Sequence, residues 1–112
     1  KLFEILKGGF KMPKYFVIHP IKKDVIEAMV NLPPEKNKMF RDLKANCTSD
    51  ADWLRSWAVP EQEKFYCEWD AKDPELIRKI LGESIEIEAI YEMHVLEGTD
   101  YEEKVLAGAV QS

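Results

Sequence analysis

The chain has 112 residues, of which 46% are apolar and 33% are charged, and its formal net charge is −5. A chain of this length forms one domain with a core that needs neither disulfides nor metal ions. It lacks the run of roughly 20 apolar residues that crosses a bilayer and the cluster of Lys and Arg that binds nucleic acid phosphates. We therefore expect a single globular domain with no membrane span and no nucleic acid partner. Its negative net charge makes cations the more suitable small partners.

The two ends of the chain differ from its middle. Residues 1–11 lack the long apolar region and cleavage site of a signal peptide, and we interpret them as an N-terminal extension or an added remnant. The domain is expected over residues 12–97, and residues 98–112 form a C-terminal tail that packs on a neighbour or stays disordered. Cys47 and Cys67 stand outside any metal or disulfide motif, which favours free thiols in the reducing cytoplasm.

The first half of the domain predicts one strand and two helical segments. A run of β-forming residues at 15–19, ended by Pro20, predicts the first strand. Apolar residues at helical spacing follow Asp24, a candidate N-cap, until two prolines at 33–34 break the pattern. A second helical segment is expected over residues 34–46, either within one kinked helix or as a separate short helix.

The second half predicts a β-hairpin, a helix and a last strand. Two aromatic-rich runs within residues 53–70 flank a polar turn at 60–63, as in a hairpin. Asp73 and Pro74 predict the start of a helix and Gly82 its end, and a last strand follows over residues 87–96. This order predicts an α+β fold of the ferredoxin-like βαββαβ type, a four-stranded antiparallel sheet with the helices on one face.

The sheet face away from the helices is the predicted ligand pocket. Alternation along the second strand places Trp53, Arg55 and Trp57 on this open face. Across a four-residue turn, Trp57 pairs with Tyr66 and Arg55 forms an ion pair with Glu68. A surface this aromatic needs a ligand, a helix or a second subunit to cover it. Packing in a core or a dimer interface is the alternative, because large aromatic residues are common in both.

His19, at the end of the first strand, is the candidate metal ligand. With Tyr15 and Val17 it joins the open face if the phase of the strand matches. A neutral imidazole there suits nickel, zinc or copper, or accepts a proton. A histidine exposed at the strand end is the alternative for His19, and also for His94 in the last strand, because neither has a second ligand at metal-binding spacing. Cys67 is expected to be buried towards the helices, and we identify no catalytic residue.

Parts of the sequence resemble a known family. They are Met-Pro-Lys-Tyr-Phe-Val-Ile-His at 12–19, Leu-Arg-Ser-Trp-Ala-Val-Pro-Glu at 54–61, Phe-Tyr-Cys at 65–67 and Ile-Tyr-Glu at 90–92. Together they are similar to a small ferredoxin-like family of unassigned function that includes nickel-binding proteins, and the resemblance spans residues 12–96.

The resemblance implies an α+β fold, dimerisation and, in some members, nickel held by histidines with other polar groups. His19 falls on the histidine that ends the first strand in the nickel-binding members. Arg55 stands where those members have a second histidine. The helix near Leu81 also lacks the histidine that those members have there. A guanidinium cannot be a metal ligand and repels a cation. The resemblance therefore implies that this chain shares the fold of the family but does not have an intact nickel site.

We therefore predict a cytoplasmic homodimer that binds a small ligand or a divalent transition metal such as nickel, rather than catalysing turnover. One alternative is a cofactor-independent oxygenase or isomerase of the dimeric α+β barrel type, with His19 as general base. Another is a purely structural interaction module. The enzyme requires a cavity of about 300 Å³ or more that reaches His19, the metal site requires further ligands converging on it, and the module requires neither.

Overall fold

The computed structural model describes residues 12–111, with side chains up to residue 108; the predicted extension over residues 1–11 lies outside them. Its main elements are β1 (Lys14–Pro20), α1 (Lys23–Val30), α2 (Lys38–Asn46), β2 (Ala51–Val59), β3 (Lys64–Ala71), α3 (Pro74–Leu81), β4 (Ala89–Met93) and α4 (Glu103–Gln111). Short 3₁₀ turns lie at Pro34–Lys36, Pro60–Gln62 and Gly98–Tyr101. Within the described range, every helix is too short or too polar to span a bilayer.

The helix boundaries follow from local chemistry. Pro34 starts only a single 3₁₀ turn, and α2 begins afresh at Lys38. The Asn37 side chain caps α2 by accepting a hydrogen bond from the Phe40 amide, at 3.2 Å. The region between β1 and β2 therefore contains two separate helices, the second of the two arrangements that the prolines allowed.

Helix α3 has the predicted ends. The Asp73 side chain accepts a hydrogen bond from the Leu76 amide at 3.1 Å, and Pro74 occupies the first helical position. Gly82 ends the helix at a φ of 73°, in the left-handed region that glycine adopts without strain. The capping residues thus define α3 before any tertiary contact is considered.

The four strands form one open antiparallel sheet in the order β2-β3-β1-β4, which makes the protein an α+β domain. Helices α2 and α3 pack against one face of this sheet. The core lies between them and contains, among others, Tyr15, Val17, Cys67 and Trp69 from the sheet with Leu43, Ile77 and Leu81 from the helices. We call the opposite face the open face.

The hairpin has the predicted register with one interruption. Arg55 pairs with Glu68 and Trp57 with Tyr66, as the turn length predicted. The register shifts between Trp53 and Arg55, where β2 contains a bulge. The extra residue reverses the alternation, so placing Trp53 on the open face was wrong: Trp53 pairs with Trp69 and packs on the helix side.

The alternation of side chains along β1 also places Tyr15, Val17 and His19 on the face opposite to the open face. Tyr15, Val17 and His19 are buried on the helix side, whereas Phe16 stacks on Tyr66, which lies opposite Ile18 on the open face. A shift of one residue exchanges the two faces of a strand. His19 therefore does not join Arg55 and Trp57 on the open face.

In the last part of the described chain, the bounds of the elements differ from those predicted. Strand β4 covers Ala89–Met93, so the exposed His94 follows the strand instead of lying within it. The predicted tail contains a 3₁₀ turn and then α4. The side chains of residues 101–108 are exposed, so α4 has little share in the core.

Candidate functional site

His19 is buried at the end of β1, with only 4% of its surface exposed. Its Nδ1 atom lies 2.9 Å from the backbone carbonyl oxygen of Glu86, in the segment before β4. A carbonyl oxygen can only accept a hydrogen bond, so Nδ1 carries the proton and Nε2 keeps a lone pair. No hydrogen bond engages Nε2 within the part of the chain that the structure describes. His19 thus offers one hydrogen-bond acceptor to a ligand.

The imidazole is held in its neutral form. Burial lowers the pKa of His19 below its usual 6.5, and outweighs the hydrogen bond to Glu86, which raises the pKa. At neutral pH the ring is therefore a neutral acceptor.

A cavity of about 340 Å³ adjoins His19; we call it the His19 cavity. It lies between the sheet and helices α1 and α2, and most of its lining is apolar. Its apolar walls include Ile21, Val25, Met29, Met39, Leu43 and Leu81. Its volume falls in the range of pockets that hold small organic molecules, and His19 is a suitable polar group to orient such a molecule.

Cys67 also lines the His19 cavity, where its side chain is a neutral thiol rather than a nucleophilic thiolate. Burial raises the pKa of the Cys67 thiol to about 11, against a smaller lowering by the hydrogen bond with Ser56. The Cys67 Sγ and Ser56 Oγ atoms lie 3.0 Å apart. Since the thiolate is the reactive form, the raised pKa leaves Cys67 almost entirely as the unreactive thiol at neutral pH.

A second cavity, of about 540 Å³, adjoins Trp53; we call it the Trp53 cavity. The Trp53 ring stacks on Phe40 of α2 with 5.2 Å between ring centroids, and its Nε1 donates a hydrogen bond to Ser56 Oγ at 2.8 Å. The charged side chains in its wall are Arg41 and Lys44, both from α2. This cavity therefore combines an aromatic wall with positive charge.

The open face carries the other four residues of the predicted pocket. Glu68 is only 6% exposed, and its carboxylate accepts bonds from Arg55 Nε at 3.0 Å and Lys14 Nζ at 2.8 Å. Trp57 and Tyr66 lie beside this ion pair, and both their rings contact Phe16. Arg55, Trp57, Tyr66 and Glu68 thus form one aromatic and charged surface.

The structure therefore divides the predicted site between the two faces of the sheet. Trp53 and His19 lie on the helix side, away from Arg55 and its neighbours. Two contributors were not identified from the sequence. Phe40 lies at helical spacing from Leu43, a signal that places it on the same side of α2 as Leu43 but does not identify Trp53 as its partner. Glu86 acts through its backbone carbonyl, for which residue identity gives no signal.

The described residues of one chain do not fit a metal ion. They contain no group of three or more His, Cys, Asp or Glu side chains arranged to hold one. The Nδ1 atom of His19 is engaged by a backbone carbonyl, and the Glu68 carboxylate is already paired with the side chains of Lys14 and Arg55. One imidazole nitrogen alone falls short of the four ligands typical of transition-metal sites.

Comparison with known proteins identifies the family of this chain. No curated protein and no solved structure matches it. A family model described as "Nickel responsive protein SCO4226-like" matches residues 15–93, well over half of the 112 residues. This match confirms the resemblance to a nickel-associated family that the opening strand and the hairpin indicated. The chain belongs to the SCO4226-like family of nickel-responsive proteins.

Proposed function

We propose that this protein binds a small apolar molecule in the His19 cavity and orients it by a hydrogen bond to His19 Nε2. The observation that carries the proposal is the buried, neutral His19, whose Nδ1 is engaged by Glu86, whose Nε2 makes no hydrogen bond among the described residues, and whose side chain lines a cavity of about 340 Å³. The ligand must then carry a hydroxyl or N–H group, because Nε2 can only accept.

The energetics favour a ligand that is otherwise apolar. Burial of apolar surface contributes roughly 25 cal/mol per Å², and the lining of the cavity supplies that surface. The single hydrogen bond adds about 0.5 to 1.5 kcal/mol and selects the orientation. Met29 and Met39 in the wall can adapt to different shapes. A phenol is a simple example of this ligand class.

The alternative enzyme would use the same group. A neutral imidazole at the wall of an apolar cavity is a suitable general base, because its lowered pKa keeps it unprotonated at neutral pH. This oxygenase or isomerase differs from the binding protein in one measurable respect, since it consumes its ligand. Incubation of the phenol with the protein in air, followed by liquid chromatography and mass spectrometry, distinguishes the two, because the chromatography separates an isomerised product and the mass reveals an oxygenated one.

Nickel is the second candidate, and the family assignment favours it. A nickel ion bound at His19 would need ligands in addition to those in the described part of one chain. A second copy meeting the open face would not supply them there, because His19 lies on the opposite side of the sheet. Nickel binding is therefore a proposal in which the protein's other residues, or another arrangement of copies, complete the site.

We further infer a ferredoxin-like fold and a cytoplasmic homodimer. In support of the fold, β1 and β2 run in the same direction with β3 between them, as in a split βαβ unit. In support of the dimer, Trp57 is 45% and Tyr91 59% exposed on the open face, and a second copy would cover them. The free thiols of Cys47 and Cys67 suit a reducing compartment such as the cytoplasm.

Calorimetric titration with 4-ethylphenol and with its methyl ether, 4-ethylanisole, tests the proposal. The two probes have similar apolar bodies, but only the phenol donates a hydrogen bond. We expect saturable binding of one phenol per chain, with an affinity about three to tenfold higher than that of the ether. His19→Leu should remove this preference, whereas the matched His94→Leu, at the exposed histidine, should keep it.

Equal affinity of the wild-type protein for the two probes, or no binding of either, would contradict the proposal even if His19→Leu fails to fold. The same variants are titrated with nickel chloride. Nickel binding near one ion per chain that is lost in His19→Leu and kept in His94→Leu would favour the metal function instead.

A further inference from the structure

The His19 cavity and the Trp53 cavity are neighbours under helices α1 and α2. Three residues line both of them: Met29, Phe40 and Phe65. The Phe40 ring contacts two aromatic residues of the sheet: it stacks on Trp53 and lies edge-on to Phe65, with 5.7 Å between the Phe40 and Phe65 ring centroids. The partition between the cavities is thus formed by side chains, one of which is a flexible methionine.

The Trp53 cavity has a distinct charge. The chain has 21 Asp and Glu residues against 16 Lys and Arg, yet the charged residues in the wall of this cavity are the two cations Arg41 and Lys44. Lys44 is already neutralised by Asp52, at 2.8 Å. Charge complementarity therefore points to an anionic group as the occupant.

Arg41 is the cation that can receive this group. Its Nη1 donates to the backbone carbonyl of Glu35 at 3.1 Å, and no described carboxylate lies within ion-pair distance of it. A guanidinium has five N–H donors, so several remain for a ligand. Two parallel hydrogen bonds to a carboxylate are the arrangement that this group forms best.

We propose that the two cavities form the halves of one site for a small hydroxylated monocarboxylic acid with an apolar body. Arg41 binds the carboxylate, the body passes Phe40 and Met29, and the hydroxyl group donates to His19 Nε2. This proposal rests on the proposed function, since it takes the His19 cavity as the place of the apolar end. It adds a second anchor and the chemical class of the ligand.

The probes are a series of 4-hydroxyphenyl alkanoic acids with three to eight carbons in the acid chain, the matching primary amides, and 4-ethylphenol. One chain length should span both anchors, and that acid should bind at least about tenfold more tightly than its amide and should displace 4-ethylphenol. The preference for the acid should decrease as salt is raised, because Arg41 is exposed to solvent.

Arg41→Gln should remove the preference for the acid and leave the affinity for 4-ethylphenol within twofold. The matched variant is Arg78→Gln, at an exposed arginine of α3 that lines neither cavity, and it should change neither. The two-anchor site is overturned if no acid of the series binds more tightly than its amide in the wild-type protein, a comparison that needs no variant to fold. It is also overturned if the acids bind without displacing 4-ethylphenol, or if both arginine variants behave alike.

The 4-ethylphenol titration separates the two proposals. Binding of 4-ethylphenol without any preference for acids overturns the two-anchor site and leaves the proposed function standing. Failure of 4-ethylphenol and all acids to bind overturns both.

Discussion

Arg55 and Glu68 face each other across the β2–β3 hairpin, with 3.0 Å between Arg55 Nε and the Glu68 carboxylate. Glu68 is the buried partner and also accepts from Lys14 at 2.8 Å. The carboxylate therefore joins β2, β3 and β1 on the open face. Removing a buried carboxylate that has two charged donors costs more stability than removing one partner of an exposed ion pair, because the remaining donors lose a desolvated partner.

Glu68→Gln should lower the free energy of unfolding by about 1 to 2 kcal/mol, since charge-assisted bonds are replaced by weaker ones. The loss stays moderate because Lys14 keeps Asp70 as a partner at 2.8 Å and Arg55 is largely exposed. Urea denaturation measures it. Asp42→Asn, which removes the exposed Lys38–Asp42 pair, is the matched control and should change stability by under about 0.5 kcal/mol. Equal effects of the two variants would contradict this role of Glu68.

The buried His19 should make the protein less stable in mild acid. Because the pKa of His19 is lower in the folded chain than its usual 6.5, the unfolded chain binds a proton that the folded chain does not. Between these two pKa values the unfolded state gains stability as pH falls, so this contribution is lost on going below pH 6.5.

His19→Asn removes this titration and should make the fall in unfolding free energy between pH 7.5 and about 5 smaller than in the wild-type protein. His94→Asn, which removes the exposed imidazole instead, is the matched control. Urea denaturation at both pH values is the measurement. Parallel pH profiles for the wild-type protein and His19→Asn would show that His19 is not held neutral by burial.

The thiol of Cys67 should resist alkylation. Because burial raises its pKa to about 11, its thiolate fraction at pH 8 is roughly a hundredfold below that of an ordinary thiol. Mass spectrometry after iodoacetamide treatment of Cys47→Ser, which retains Cys67, follows the reaction. In 6 M guanidinium the same thiol should react at the ordinary rate. Fast alkylation of the folded variant would indicate that the His19 cavity is open to the reagent and that the thiol is ionised.

The proposed homodimer predicts a role for the exposed Trp57. Trp57→Asp would place a charge in the interface without a partner, and the dissociation constant of the dimer should rise at least about tenfold. Ala45→Asp on the exposed side of α2 adds the same charge away from the open face and should leave the dimer intact. Sedimentation equilibrium is the measurement. A wild-type protein that is monomeric at 100 µM would refute the dimer itself.

The hairpin and α3 show how much local sequence determines. The turn at 60–63 and the two-residue alternation predicted the pairs Arg55–Glu68 and Trp57–Tyr66, and both are present. Asp73 and Gly82 bound α3 as predicted. These features depend on neighbours in the chain, so the sequence carries the information directly.

The positions of Trp53 and His19 on the helix side of the sheet show what local sequence patterns do not predict. One bulged residue at the start of β2 moved Trp53 to the helix side, and bulges have little signature in an aromatic strand. His19 alternates correctly within β1, but alternation specifies only that two faces exist and not which of them the helices will cover.

The sequence by itself determined the first strand, the hairpin pairs Arg55–Glu68 and Trp57–Tyr66, the cap and stop of α3, and the family, because each of these depends on a short stretch of residues. Only the tertiary structure decided which face of the sheet holds each candidate residue. It moved His19 and Trp53 under the helices and left Arg55, Trp57, Tyr66 and Glu68 on the open face. The physical reason is that a strand's side chains acquire an inside and an outside only when distant helices dock, and it is this docking of α1 and α2 that forms the two cavities.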